Sequence, residues 1–467
     1  MNKFWPCISH CLLIFYVAYA APARTSAGAR KISGASAKAQ AASAKIVETS
    51  ATQKVRRLVT KAGVRFWFMR DDSAPLVHVK IAFKNSGASR LEKSKAGLPQ
   101  LYANTVFCGS GKCGEMEFRK KCSDISISIS CKAEIDRMVF SMTSPKIVLD
   151  EAIGLFREAL ASPVFEKDKV TKIQNELAYS LQNYAANPVG VAFGILIPPV
   201  IFQSHPYENG DYGRAEDFLK LSTEDLREYG AKFLVTANAE ACVFGDVTEK
   251  ESISLLDKVF SGIKAGRRAP DNLRDVTPML ISAIGRYYAD GPQSTIVFVL
   301  KNEKQSSPKR AAAVILHRIL GGNGLFRSRL MSELRTKLGL IYGEFMVPVD
   351  LNHANYIFGM LQTDNSKTTL AVQALKKVIG NMRKKGITEK ELEFAKNNIK
   401  GTLLVGLRTS RDLCQFYFEK MLNGLGPKAL SDFLEKIERV TLAEVNQLAR
   451  ELLDEDHLSL IIIGGGQ

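Results

Sequence analysis

The chain has 467 residues, 46% hydrophobic and 24% charged. At roughly 100–200 residues per domain that length holds two to four domains with sizeable cores, and the composition excludes wholesale disorder, a collagen-like repeat and a multi-span membrane protein. Lysine and arginine number 64 against 48 aspartates and glutamates, a net charge of +16; this balance fits acidic partners or a solvated basic face, and no nucleic-acid signature occurs along the chain.

Residues 1–20 read as an export signal. Met1-Asn2-Lys3 is a short basic start, residues 4–20 carry no charge, and Ala18-Tyr19-Ala20 gives an A-x-A cleavage pattern. No other segment reaches 18 uncharged apolar residues, so the reading leaves no membrane span after cleavage and places the protein in the periplasm or outside the cell. Residues 21–54, rich in Ala, Ser, Lys and Gly without an aromatic, read as a disordered tether. Ordered structure is expected from Val55. Cleavage leaves six cysteines, four of them (Cys108, Cys113, Cys122, Cys131) within one short stretch whose spacing matches no common zinc pattern. One or two local disulfides and simple buried thiols are both open, and the pairing is not fixed by spacing.

From Val55 onward the chain repeats itself. Ser222 caps a predicted helix that leads to a strand over 241–244 and then Gly245-Asp246; Thr441 opens a similar helix that leads to a strand over 458–463 and then Gly464-Gly465. Both the helix starts and the glycines are offset by 219 residues (441 − 222 and 464 − 245). Strands over 77–83 and 295–300, each followed by a polar turn and a helix, correspond at the other end. The pattern predicts two copies of one α+β domain, 55–265 and 266–467, joined near 265–277. Within the first copy, Ile125, Ile127 and Ile129 alternate with serines as a half-buried strand, paired with a second over 139–142. Residues 169–184 form an amphipathic helix with Val170, Ile173, Leu177 and Leu181 on one face, stopped by Asn187-Pro188.

Three segments carry a family likeness. The first is Ala96-Gly97-Leu98-Pro99-Gln100-Leu101-Tyr102-Ala103-Asn104. The second is His205-Pro206-Tyr207, with Leu221-Ser222-Thr223-Glu224-Asp225-Leu226 and Gly245-Asp246-Val247 after it. The third runs from Leu320-Gly321-Gly322-Asn323-Gly324 to Leu330 and on through Arg335 to Tyr342. In order and spacing over residues 55–465 they resemble the pitrilysin/insulinase family of metallopeptidases, in its two-domain bacterial and mitochondrial branch. The resemblance implies two homologous domains, each a mostly antiparallel sheet packed with helices, forming half of a clamshell around a peptide chamber.

Active members of that family carry H-x-x-E-H on the first segment. Two histidines one turn apart hold zinc, the glutamate takes a proton from the zinc-bound water, and a glutamate on a later helix completes the ligands. The aligned positions here are Gln100, Ala103 and Asn104. Amides are weak zinc ligands and alanine moves no proton. Glu176 matches the later ligand, while the acidic position seven residues before it is Lys169. The six histidines (His10, His78, His205, His317, His353, His457) include no i, i+4 pair; His78 in a strand pattern and His317 in a helix pattern read as structural. The expectation is no zinc and no other cofactor in this chain.

The third segment is better preserved. Arg335 and Tyr342 match an Arg/Tyr pair that, in the resembled family, faces the zinc across the chamber and holds the substrate backbone through hydrogen bonds to a carbonyl and its oxyanion. Gly321-Gly322-Asn323-Gly324 lacks the phosphate-binding pattern and resembles the family's glycine-rich loop. The resemblance therefore implies a non-catalytic, substrate-binding subunit of a heterodimeric zinc metalloendopeptidase acting on peptides or unfolded polypeptides, with zinc in a homologous partner. The alternative is a non-proteolytic peptide-binding or scaffold protein of the same fold.

Overall fold

A computed structural model describes residues 55–111, 113–182, 190, 192–280, 284–322 and 327–465. The expected signal, the tether, the Asn187-Pro188 helix stop and Asn323-Gly324 lie outside the described residues.

The first half builds a six-stranded sheet. Its strands are β1 (Arg56–Val59), β2 (Arg65–Arg70), β3 (Leu76–Lys84), β6 (Ser128–Ala133), β7 (Arg137–Pro145) and β8 (Ala239–Gly245), beside a two-residue ladder of β4 (Gly109–Ser110) and β5 (Cys113–Gly114). The second half builds a five-stranded sheet from β9 (Ile284–Tyr287), β10 (Gln293–Lys301), β11 (Ile341–Asp350), β12 (Asn355–Asp364) and β13 (Leu460–Ile463). Strand orders are β1-β2-β8-β3-β7-β6 and β11-β12-β10-β13-β9. Read from the other end, the second sheet repeats the first: β9, β13, β10, β12 and β11 stand where β2, β8, β3, β7 and β6 stand. In each sheet one corresponding pair is parallel, β2 with β8 and β13 with β9, and every other pair is antiparallel. The fold is thus α+β and duplicated.

The repeated sequence signals are repeated physical devices. Ser222 and Thr441 each accept the backbone N–H three residues on, and Asp225 and Glu444 each reach back to the cap amide. Gly245 (φ +134°) and Gly464 (φ +132°) end the equivalent strands. A Cβ on Gly245 would sit 2.2 Å from the Leu76 carbonyl oxygen, and one on Gly464 would sit 2.6 Å from that of Gln293. The backbone crossing is too close for any side chain.

Some boundaries differ from expectation. Residues 125–127 are not strand: Ile125 caps the helix Glu115–Asp124, and Ser126 takes φ +56° with its amide on the Ser123 carbonyl, so the ladder starts only at Ser128. The amphipathic helix runs Lys167–Gln182, and β13 starts at Leu460. All six described cysteines are free thiols, so the disulfide alternative fails here. The clustered sulfurs have separate partners: Cys108 the Asn104 carbonyl, Cys113 the side chains of Glu117 and Lys121, and Cys131 the Met138 sulfur.

Helices cover one face of each sheet and form two large apolar cores. The other faces are covered reciprocally. Helix Ser410–Leu422, from the second half, lies on the first sheet, where Tyr417 packs its ring against Trp67 (6.2 Å) and Phe244 (5.8 Å). Residues 192–207, from the first half, lie on the second sheet, where Phe193 meets Phe358 and Phe202 meets Tyr356. Among the described residues each sheet thus has its second face covered by the other half, and separating the halves would expose both.

Candidate functional site

The helix Leu98–Thr105 starts with Pro99 in its first turn and buries most of its length against the first sheet. It holds Gln100, Ala103 and Asn104, the three positions read from the sequence as the degenerate zinc motif. Gln100 is buried and donates Nε2–H to the Ala133 carbonyl at 3.3 Å, on edge strand β6. Asn104 donates Nδ2–H to the Gln100 carbonyl at 2.8 Å, a bond within its own helix. Ala103 is a buried methyl between them. Both amides give their N–H groups to backbone, and the oxygens they keep are weak ligands for zinc.

Glu176, on Lys167–Gln182, is 52% exposed and lies 3.9 Å from Lys172 Nζ. Lys169 pairs instead with Glu115 at 3.2 Å. Burial works against the Glu115 charge, but Lys169 and Arg119 outweigh it and hold its carboxyl below the usual range. Gln174 is the residue that ties this helix inward, giving Nε2–H to the Phe218 and Leu221 carbonyls at 2.7 Å each. Gln100 and Asn104 thus come together, while Glu176 hydrogen-bonds to neither. Among the described residues no three His, Cys, Asp or Glu side chains gather as a metal cluster. The donor set present does not fit a catalytic zinc.

Arg335 and Tyr342 lie on adjoining elements of the second half. Arg335 is exposed on a π-helical segment, Met331–Lys337, wider than the ordinary helix its sequence predicts. The Leu338 amide reaches the Glu333 carbonyl five residues back at 3.2 Å, and Gly339 (φ +59°) turns the chain into β11. Tyr342 falls in a β-bulge: Ile341 pairs with Thr363 and Gly343 with Gln362, leaving Tyr342 the extra residue. The residue is 53% exposed, on the edge strand of the sheet. π-Turns and bulges are both devices that re-aim a side chain. Nothing in the local sequence signals either one.

The glycine stretch is anchored from β11. Gly322 gives its N–H to Glu344 Oε1 at 3.0 Å, and a Cβ on Gly321 would clash with Met346 Sδ at 2.2 Å.

Residues 69–209 match the description insulinase (peptidase family M16), and residues 220–399 match peptidase M16 inactive domain. The chain belongs to the insulinase family. The Helicobacter pylori protein named non-peptidase homolog YmxG is 22% identical over 409 residues, which is 87% of this chain and 93% of that one. Two solved structures share the fold. The peptidase M16 inactive domain from Pseudomonas fluorescens has a TM-score of 0.80 at 21% identity, covering 88% of this chain and 98% of its own. The periplasmic protease PqqL from Escherichia coli has a TM-score of 0.72 at 13% identity, covering 88% of this chain and 46% of its own.

In this insulinase-family chain the His205-Pro206-Tyr207 motif is a seam. His205 caps a short 3₁₀ turn through Nδ1, which accepts the Tyr207 amide, and its Nε2 lies 3.1 Å from the Arg274 carbonyl oxygen. Burial holds the His205 pKa below its ordinary value. Tyr207 then bridges to His353 in the second half. The His353 ring sits between Asp271 (2.8 Å) and Asp275 (3.2 Å) of the connecting segment. Sequence reading placed the motif in the family but not in this role, because its partners stand up to 146 residues away. His78 and His317 lie buried in strand β3 and in helix Arg310–Leu320, as read from the sequence.

Proposed function

We propose that this insulinase-family protein is the non-catalytic, substrate-binding subunit of a heterodimeric zinc metalloendopeptidase. Its partner is a homologous chain with an intact H-x-x-E-H. Arg335 and Tyr342 hold the peptide backbone, and the substrate is a peptide or unfolded polypeptide. The observation that carries the reading is a contrast within one molecule. The positions read as the zinc motif carry Gln100 and Asn104, amides tied to backbone carbonyls, whereas Arg335 and Tyr342 are exposed on a π-turn and a bulge. A guanidinium and a phenol so placed can donate to a peptide carbonyl and to an oxyanion forming at it. The name of the Helicobacter relative, a non-peptidase homolog, supports the non-catalytic part. Export to the periplasm is supported by the signal-like residues 1–20 and by the periplasmic neighbour.

The test is zinc content and peptide turnover by the mature chain, alone and mixed with the homologous H-x-x-E-H chain of the same host. The expected result is neither zinc nor turnover alone, and turnover gained or raised on mixing. Stoichiometric zinc with turnover by the chain alone overturns the reading. Silence in both samples moves the assignment to a peptide-binding scaffold.

A further inference from the structure

A cleft of about 300 Å³ opens at one end of the first sheet, away from the positions discussed above. Its charged lining is Arg65 at the start of β2, Lys84 at the end of β3, Glu240 at the start of β8, and Arg268 in the segment leading to the second half. Glu240 is buried and is the only acid in this lining. Arg65 Nη2 and Lys84 Nζ both reach the same oxygen, Oε1, at 3.1 and 3.3 Å. One carboxylate oxygen cannot satisfy both: the guanidinium keeps most of its N–H donors and the ammonium keeps two more. Arg268 has no hydrogen bond or ion pair among the described residues. Three cations against one anion leave an excess of two positive charges around a small, polar-walled space.

The duplication shows that the scaffold does not require this set. By strand register, with Gln293 standing against Gly464 as Leu76 stands against Gly245, Lys84 corresponds to Lys301 and Glu240 to Ser459. The second sheet keeps the lysine but has a serine where Glu240 stands, so the Arg65–Glu240–Lys84 cluster belongs to the first copy.

We propose that this cleft binds a small dianion, a phosphate monoester or a short dicarboxylate. The Arg65 and Arg268 guanidiniums would fork onto its oxygens, and Lys84 would add a point charge. The volume is at the lower end for small-molecule sites, which suits a ligand of metabolite size. The site is independent of Arg335, Tyr342 and the peptidase reading.

The experiment is calorimetric titration of the mature chain with inorganic phosphate and, separately, with succinate, ionic strength held constant with sodium chloride. Saturable binding at one equivalent is expected, with phosphate or succinate the tighter according to the natural source. Arg268→Gln should weaken it at least about tenfold, the loss of one charge-assisted contact. Ala237→Glu, at the exposed rim, should abolish it while leaving the melting temperature unchanged. Lys390→Gln, on a remote exposed helix, should leave binding as it was. No saturable heat with either dianion overturns the proposal. So does equal weakening by Lys390→Gln and Arg268→Gln, because that marks a general charge effect.

Discussion

The Tyr207 hydroxyl lies 2.9 and 3.0 Å from the two carboxylate oxygens of Asp136. It also accepts the amide of His353 at 3.0 Å, while Asp136 accepts the Asn352 amide at 2.9 Å. One buried phenol therefore joins a turn in the first half to a turn in the second. Burial and the neighbouring carboxylate push the phenol's pKa far up, so it stays a neutral donor.

Tyr207→Phe keeps the ring edge-on to Phe202 and removes only the hydroxyl. Asp136 and the His353 amide lose a partner each in a buried site. The expected cost is about 1–3 kcal/mol for a buried polar group left unpaired. Urea unfolding of both proteins measures it, read as a lower midpoint at unchanged slope. An unchanged midpoint would mean the seam is held by the apolar cover alone.

Two histidines make the fold acid-sensitive. Burial, then the positive charges of Arg411 and Lys80, holds His78 down at about 4. Burial, then Arg310, holds His317 at about 3. Unfolded histidines titrate near 6.5. Below that pH the unfolded chain binds two protons that the folded chain refuses, so stability is full above about 6.5 and is lost as pH falls toward 4. The expected loss between pH 6.5 and 5 is about 2 kcal/mol for each histidine. Melting temperatures from pH 7 to 5 should fall steeply for the natural chain and less steeply for His78→Gln/His317→Gln. Parallel slopes would contradict the assignment.

The strand-ending glycines allow a graded comparison. Gly339 has φ +59° but open space around its Cβ position, so Gly339→Ala pays only for the backbone, about 1 kcal/mol. Gly245→Ala and Gly464→Ala add a collision with backbone at 2.2 and 2.6 Å, for about 1–3 kcal/mol more each. Denaturation midpoints should rank Gly339→Ala well above the other two, and those two together. A mild Gly245→Ala beside a severe Gly464→Ala would break the equivalence of the two copies.

What the sequence made legible was local. Helix caps at Ser222 and Thr441 and glycines at Gly245 and Gly464 announce themselves because each is fixed by its own few neighbours. The offset between them then predicts two sheets of matching order. Gln100, Ala103 and Asn104 are likewise a local reading: whatever their place in the family pattern, two amides and a methyl are poor zinc ligands and no general base. The rest depended on distant partners. Tyr417 reads as an ordinary apolar helix residue until Trp67 and Phe244 are placed beneath it. Ile125 and Ile127 alternate like a strand, yet helix-end bonds to Lys121 and Cys122 claim their amides first. The bulge at Tyr342 is a shift in the pairing of β11 with β12, set by a distant strand rather than by its own neighbours.

The bulge at Tyr342 and the π-turn at Arg335 set up the prediction that bears most on function. If Arg335 and Tyr342 bind substrate, removing their donors should harm turnover by the mixed complex and nothing else. Both side chains are exposed, so Arg335→Ala and Tyr342→Phe should fold with unchanged melting temperatures. Association with the H-x-x-E-H chain, followed by sedimentation, should also persist. Turnover should drop by about 100- to 1,000-fold for a lost oxyanion donor. The two readouts separate the roles: a structural Arg335 would lower stability or assembly along with rate, and a scaffold would show no change in any of the three.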